Sequence, residues 1–152
     1  MGYSIKIGNA VPEFGKDYDE LWARWKVTGA SDTNAPTFIN DEMTGSTSQR
    51  SPSYSGWADF CRTVGLHDLF FEKYGGLMSQ HPGCKILKQE HLDIVQTALI
   101  KYQASTDKKP GFIDWGEPDT GEYDPHLARI MWLEWWMRWA LANCETPAIE
   151  NS

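Results

Sequence analysis

The chain has 152 residues, with 14 Lys and Arg against 21 Asp and Glu, for a net charge of −7. With 41% hydrophobic and 13% aromatic residues, it has the composition of one globular domain with its own core rather than of a disordered segment. The acidic balance excludes wrapping duplex nucleic acid by bulk electrostatics, which rests on Lys and Arg against phosphates. It leaves room for a local anion pocket or a basic protein partner.

Three cysteines (Cys61, Cys84, Cys144) and a start, MGYSIKIGNAV, without an apolar run point to a reduced, cytoplasmic setting. Lys6, where a myristoylation signal carries Ser or Thr, removes that reading of Met-Gly.

Residues 3–7 alternate apolar and polar and predict a strand, broken by Gly8, Asn9 and Pro12. Asp17 with Glu20 fits a helical turn, after which Ala23, Trp25 and Val27 alternate as a strand ending at Gly29. A short third strand is expected at Thr37–Ile39. From 29 to 56 Ser, Thr, Asn, Asp and Gly dominate, and the stretch reads as a long loop, a type that is often functional. Phe38, Ile39, Met43 and Tyr54 within it would dock on the body.

Helices are expected from Ser55 to about Thr63, closed by Gly65, from Leu66 to Lys73, and from about Lys88 to Ala104. His81-Pro82-Gly83 reads as a turn, and 105–123 as an acidic loop. Asp124-Pro125 is a cap followed by an N1 proline. It opens a helix to Asn143 that holds Trp132, Trp135, Trp136 and Trp139 on one arc of roughly 100°. Leu127, Ile130, Leu133, Met137 and Leu141 make the rest largely apolar as well, so this helix belongs at a centre. Arg129, Glu134 and Arg138 interrupt it and exclude a membrane span. Pro147 ends helical propagation. The fold class is α+β, mostly helical, in a single domain spanning 1–152: a small N-terminal antiparallel sheet packed on a helical body around the Trp-rich C-terminal helix. The far side of that helix would meet the sheet or a second copy, so a homo-oligomer is expected.

The strongest candidate site is the run from Gly45 to Gly56 leading into a helix. Helix N-termini expose N–H groups and partial positive charge that suit anions. Arg50 adds a planar fork, Ser51, Ser53 and Ser55 add hydroxyls, and Tyr54 and Trp57 offer flat rings. Arg138 would be a second anion contact unless it pairs with Glu134 four residues earlier. The plainer alternative is an ordinary serine cap. Neither GxxxxGK[ST] nor GxGxxG is present.

His81 and Cys84 have the gap of half a zinc site, but Cys61 and His67 do not complete it with a usual spacing, and no metal is expected. Asp114, Glu117, Asp119, Glu122 and Asp124 do not follow the EF-hand spacing. No hydrolase fingerprint appears. His67 with Asp68, His91 with Asp93, and His126 are available bases, His126 with its charged form disfavoured by the helix start.

The reading is non-catalytic binding of a small anionic, nucleotide-like ligand without a cofactor, as in a small bacterial or phage accessory protein that sequesters a signalling nucleotide. The alternatives are an acidic interaction module or inhibitor of a basic partner, and a small hydrolase built on a His/Asp site.

Overall fold

The structure, a computed structural model, describes residues 1–13, 24–41, 46–113 and 118–152. The helical turn expected at Asp17–Glu20, Met43, and Asp114 and Glu117 of the acidic loop lie outside the described residues.

Among the described residues, seven strands and four helices follow in the order β1 (Ile5–Glu13), β2 (Arg24–Gly29), β3 (Gln49–Arg50), α1 (Tyr54–Val64), α2 (His67–Phe71), β4 (Gly83–Ile86), α3 (Gln89–Ser105), β5 (Lys109–Pro110), β6 (Tyr123–Asp124), α4 (Pro125–Asn143) and β7 (Pro147–Asn151). The fold is α+β, and the antiparallel sheet is not confined to the N-terminal end. Its order is β2-β1-β7-β4, with β3 also on β1. The C-terminal strand β7 thus fills the position beside β1, and β4 grows from the expected turn at 81–83. Helix takes 39% and strand 26% of the described residues, so "mostly helical" understates the sheet. Pro147 stops the helix and then starts a strand, where its missing N–H costs nothing.

The serine-rich stretch 29–56 is not one loop. Beyond β2 the chain turns and runs back beside itself, with Ser31 bridged to Thr47 and Asp32 N–H bonded to the Ser46 carbonyl. Ser48, fully buried, joins three segments. Its N–H donates to the Ala30 carbonyl, its hydroxyl accepts from the Ala30 N–H at 2.8 Å, and its carbonyl accepts from Ile7 N–H. β1 therefore shares one edge between β2 over Gly8–Glu13 and β3 over Ile5–Lys6. The strand expected at Thr37–Ile39 is reduced to a single parallel bridge from Ile39 to Gly111, because Phe112 N–H takes the Ile39 carbonyl in passing. The 105–123 segment likewise contains β5, paired in parallel with β6.

Helix ends follow local chemistry. Ser53 caps α1 by accepting from Gly56 N–H at 3.0 Å. Gly65 closes it in the left-handed conformation at φ 78°, where glycine alone is unstrained. In α1 the buried residues Trp57, Phe60, Cys61 and Val64 recur at helical spacing. Lys88 N–H at the start of α3 donates to His91 Nδ1 at 3.0 Å, which gives that histidine a capping role. Asp124 caps α4 by accepting from His126 and Leu127 N–H, with Pro125 at N1.

α4 is the centre. It packs on α3, α1 and β1, and buries Leu127, Ala128, Ile130, Trp132, Leu133, Trp136, Met137 and Ala140 inside one chain. Ile5, Ile7 and Ile149 cover it from the sheet. The opposite sheet face is concave, with β2 and β4 approaching across it. There Ala10, Val27 and Ala148 form a second small core against Cys84, one residue each from β1, β2, β7 and β4. None of the described helices is long and apolar enough to cross a membrane.

Candidate functional site

Arg50 pairs in register with buried Ile5, so its side chain enters the helix-facing side of the sheet. A guanidinium buried there needs its donors used. Nη1 donates to the Thr47 carbonyl at 2.9 Å, the Thr47 hydroxyl at 3.1 Å and the Gln49 carbonyl at 2.7 Å. Nη2 meets Asp41 Oδ2 at 2.8 Å, and both side chains are under 10% exposed. The guanidinium carbon lies 5.0 Å from the centre of the Trp132 ring. Trp132 Nε1 donates to the same Thr47 carbonyl at 2.9 Å and so ties α4 to the segment before β3.

Arg129 stands three residues before Trp132 on α4, on the same face. Its guanidinium carbon lies 5.9 Å from the Trp57 ring, 5.7 Å from Phe60 and 5.8 Å from Phe112. Aromatic faces attract a guanidinium placed at such distances. Between the two arginines is a cleft lined by Asp41, Arg50, Ser51, Pro52, Phe112, Arg129 and Trp132, with a cavity volume of about 20 Å³. That is room for one water or one small polar group. Two guanidiniums face one carboxylate among the described lining residues, in a chain whose net charge is −7.

The seven residues singled out from sequence are dispersed. Arg50 and Ser51 share the cleft. Ser53 is the α1 cap. Ser55 is exposed on the first turn of α1. Tyr54 meets His81 instead of the cleft. Trp57 is fully buried, with Phe60 at 4.9 Å and Phe70 at 5.2 Å between ring centres, so it carries Arg129 rather than stacking on a ligand. Arg138 bonds Glu134 at 2.9 Å, and nine residues of helix put it roughly 13 Å from Arg129 along the axis, outside the cleft. From α4, Trp132 lines the cleft. Sequence reasoning missed Asp41, Phe112 and Arg129. The helical phase of Arg129 with Trp132 was the available signal for the last of these; Asp41 and Phe112 arrive from distant loops with no local signature.

The other candidate residues lie elsewhere in the molecule. Cys61 is fully buried, and burial pushes its thiol up to about 12; burial and the nearby Glu150 carboxylate raise Cys84 to about 11. Both stay neutral thiols at ordinary pH. Asp119 accepts from Gly121 N–H in a turn, and Glu122 stands 3.7 Å from Lys109. His126 is held neutral, first by burial, against the nearby Asp124 and Asp59 carboxylates, and its Nδ1 is buried without a partner among the described residues. His67 packs on Phe71. A wider trough of about 480 Å³ lies between β2 and β4, where Glu150 Oε1 reaches across to Val27 N–H at 3.0 Å. No family profile, curated protein or solved structure matches the chain.

Proposed function

We propose that the protein binds a small ligand through an anionic group, phosphate or carboxylate, placed between Arg50 and Arg129. The observation that supports this is the convergence of two ring-stacked guanidiniums and the Ser51 segment on one cleft of an otherwise acidic chain. Guanidinium forks match the paired oxygens of phosphate and carboxylate. The cleft itself has room for about one water, so the anionic group would sit at its mouth between the two arginines, and a nucleotide would leave its base outside, against Phe112. Binding without turnover fits the chemistry of the described lining residues, which include two cations, a paired carboxylate and a serine.

The test uses the intact chain. Denaturing the purified protein and analysing the supernatant by mass spectrometry recovers a co-purified ligand. Thermal melting with inorganic phosphate, nucleoside monophosphates and dicarboxylates then ranks candidates. Arg129→Gln is the informative variant, because Arg50 also holds the β3 segment. Stabilisation by an anion that vanishes in Arg129→Gln supports the reading. Flat melts with every anion, together with an empty supernatant, reject it.

A further inference from the structure

Where the start of α1 meets the turn before β4, a second constellation lies apart from the cleft. Tyr54, 40% exposed, places its hydroxyl 3.3 Å from His81 Nε2. On the far side of the same ring, His81 Nδ1 lies 2.6 Å from Asn151 Oδ1. The orientation of the Asn151 amide is determined by its other partner. Its Nδ2 donates to the Gln80 carbonyl at 3.0 Å, and a carbonyl only accepts. Oδ1 therefore faces the imidazole, and Nδ1 carries the ring proton. Neutral His81 then presents its Nε2 lone pair to the Tyr54 hydroxyl. Asn151 is 1% exposed and sits on β7, inside the sheet. Tyr3 packs edge-on against both rings, at 4.7 Å from Tyr54 and 4.9 Å from His81. His81, itself exposed, is thus anchored to β7 through Asn151, and the hydroxyl it faces is at the surface as well.

We propose that Tyr54 is an acyl-accepting nucleophile, with His81 as its general base and Asn151 as the residue that positions the base. Tyr54 Oη bonds to the carbonyl carbon of an activated ester while its proton moves to His81 Nε2. The acyl–oxygen bond to the leaving group breaks, and the leaving oxygen takes the proton from His81. The products are O-acyl-Tyr54, the free alcohol or phenol, and neutral His81, with no change in oxidation state. Nucleophile, base and orienting group in hydrogen-bonded sequence are the general requirement for such a step. A 3.3 Å contact is within the range that tightens when substrate binds. An acyl donor fits better than a phosphoryl donor. Among the described residues, the partners of this pair are Tyr3 and Asn151, both uncharged, whereas phosphoryl transfer relies on cationic clamps.

Tyr74 is an internal control. It is 88% exposed, with Lys73 over its ring. The full chain is incubated with p-nitrophenyl acetate, and acetylation of each tyrosine is followed by peptide mass spectrometry. Tyr54 is expected to acetylate at least about tenfold faster than Tyr74, and His81→Gln to slow Tyr54 about a hundredfold, the usual scale of general-base assistance, with Tyr74 unchanged. In Asn151→Ala, the nitrogen NMR signals of His81 should leave the Nδ1-protonated tautomer and Tyr54 labelling should fall; a purely structural asparagine would leave the tautomer in place. Equal rates at Tyr54 and Tyr74, or a His81→Gln variant of native circular dichroism that labels Tyr54 as fast as wild type, overturns the proposal. Should Asn151→Ala unfold, the His81→Gln comparison decides alone.

Discussion

Asp124 shows how one side chain can join three parts of the chain. Its Oδ1 caps α4, and its Oδ2 accepts from the Tyr102 hydroxyl at 2.6 Å and the Thr106 hydroxyl at 3.1 Å. Burial alone would raise its carboxyl, but the bonds from Tyr102, Leu127 N–H, Thr106 and His126 N–H outweigh burial and lower it. A carboxyl whose folded value is depressed contributes stability that is fully present above the ordinary carboxylate range. That stability is lost as pH falls through the folded value. Asp124→Ala should therefore cost about 1–2 kcal/mol at neutral pH, the upper range for a cap. The gap from wild type should narrow in acid, read by urea unfolding at both pH values. At Arg50 the balance differs. A buried ion pair is a weak source of net stability, but removing one partner strands the other. Arg50→Ala should lower the unfolding free energy by roughly 3 kcal/mol, so loss of ligand in that variant would not by itself locate the site.

At the scale of elements, α4 carries the largest single-residue stakes. Trp132 is 1% exposed, packs in the main core and bonds the Thr47 carbonyl. Trp132→Ala should cost about 3–5 kcal/mol, measured by chemical denaturation. Gly8 on β1 is a different limit. A Cβ there would lie 2.2 Å from the Thr28 carbonyl oxygen, so Gly8→Ala must push β2 off its partner, and faster amide exchange along β2 is the expected readout. Most helix ends were legible in sequence because side chains specify them: Asp124 as a cap, Gly65 as a stop. The cap of α1 lies two residues before the expected Ser55, because Ser53 and Ser55 are chemically equal caps and tertiary context makes Ser53 the one used. β3 and β4 were not legible. Gln49-Arg50 and Gly83-Cys84-Lys85-Ile86 pair through main-chain groups at positions set by distant strands, and show no usable alternation. The candidate site was half legible for the same reason. Arg50 and Ser51 could be read locally, while Asp41 and Phe112 reach the cleft only through tertiary folding, and Arg129 joins it through the phase of α4.

For the whole molecule, the C-terminal strand closes the structure. β7 lies between β1 and β4, and Thr146 N–H is held by Asn9 Oδ1 at 2.8 Å. A chain ending before residue 147 would leave two unsatisfied strand edges and uncover Ile7 beside the lost Ile149. It should lose cooperative thermal unfolding altogether. The same closure buries eight residues of α4 within one chain, so a second copy is not needed to cover them. Homo-oligomerisation through α4 remains a proposal that light scattering on the purified chain decides. The central claim is the anion cleft, and the most direct measurement is NMR of the Trp132 indole N–H, whose ring lies under Arg50 and lines the cleft. Titration with phosphate and with a nucleoside monophosphate should move that resonance saturably, and Arg129→Gln, with its fold intact, should abolish the shift. A Trp132 signal that stays fixed through millimolar anion, or that shifts equally in Arg129→Gln, would contradict it.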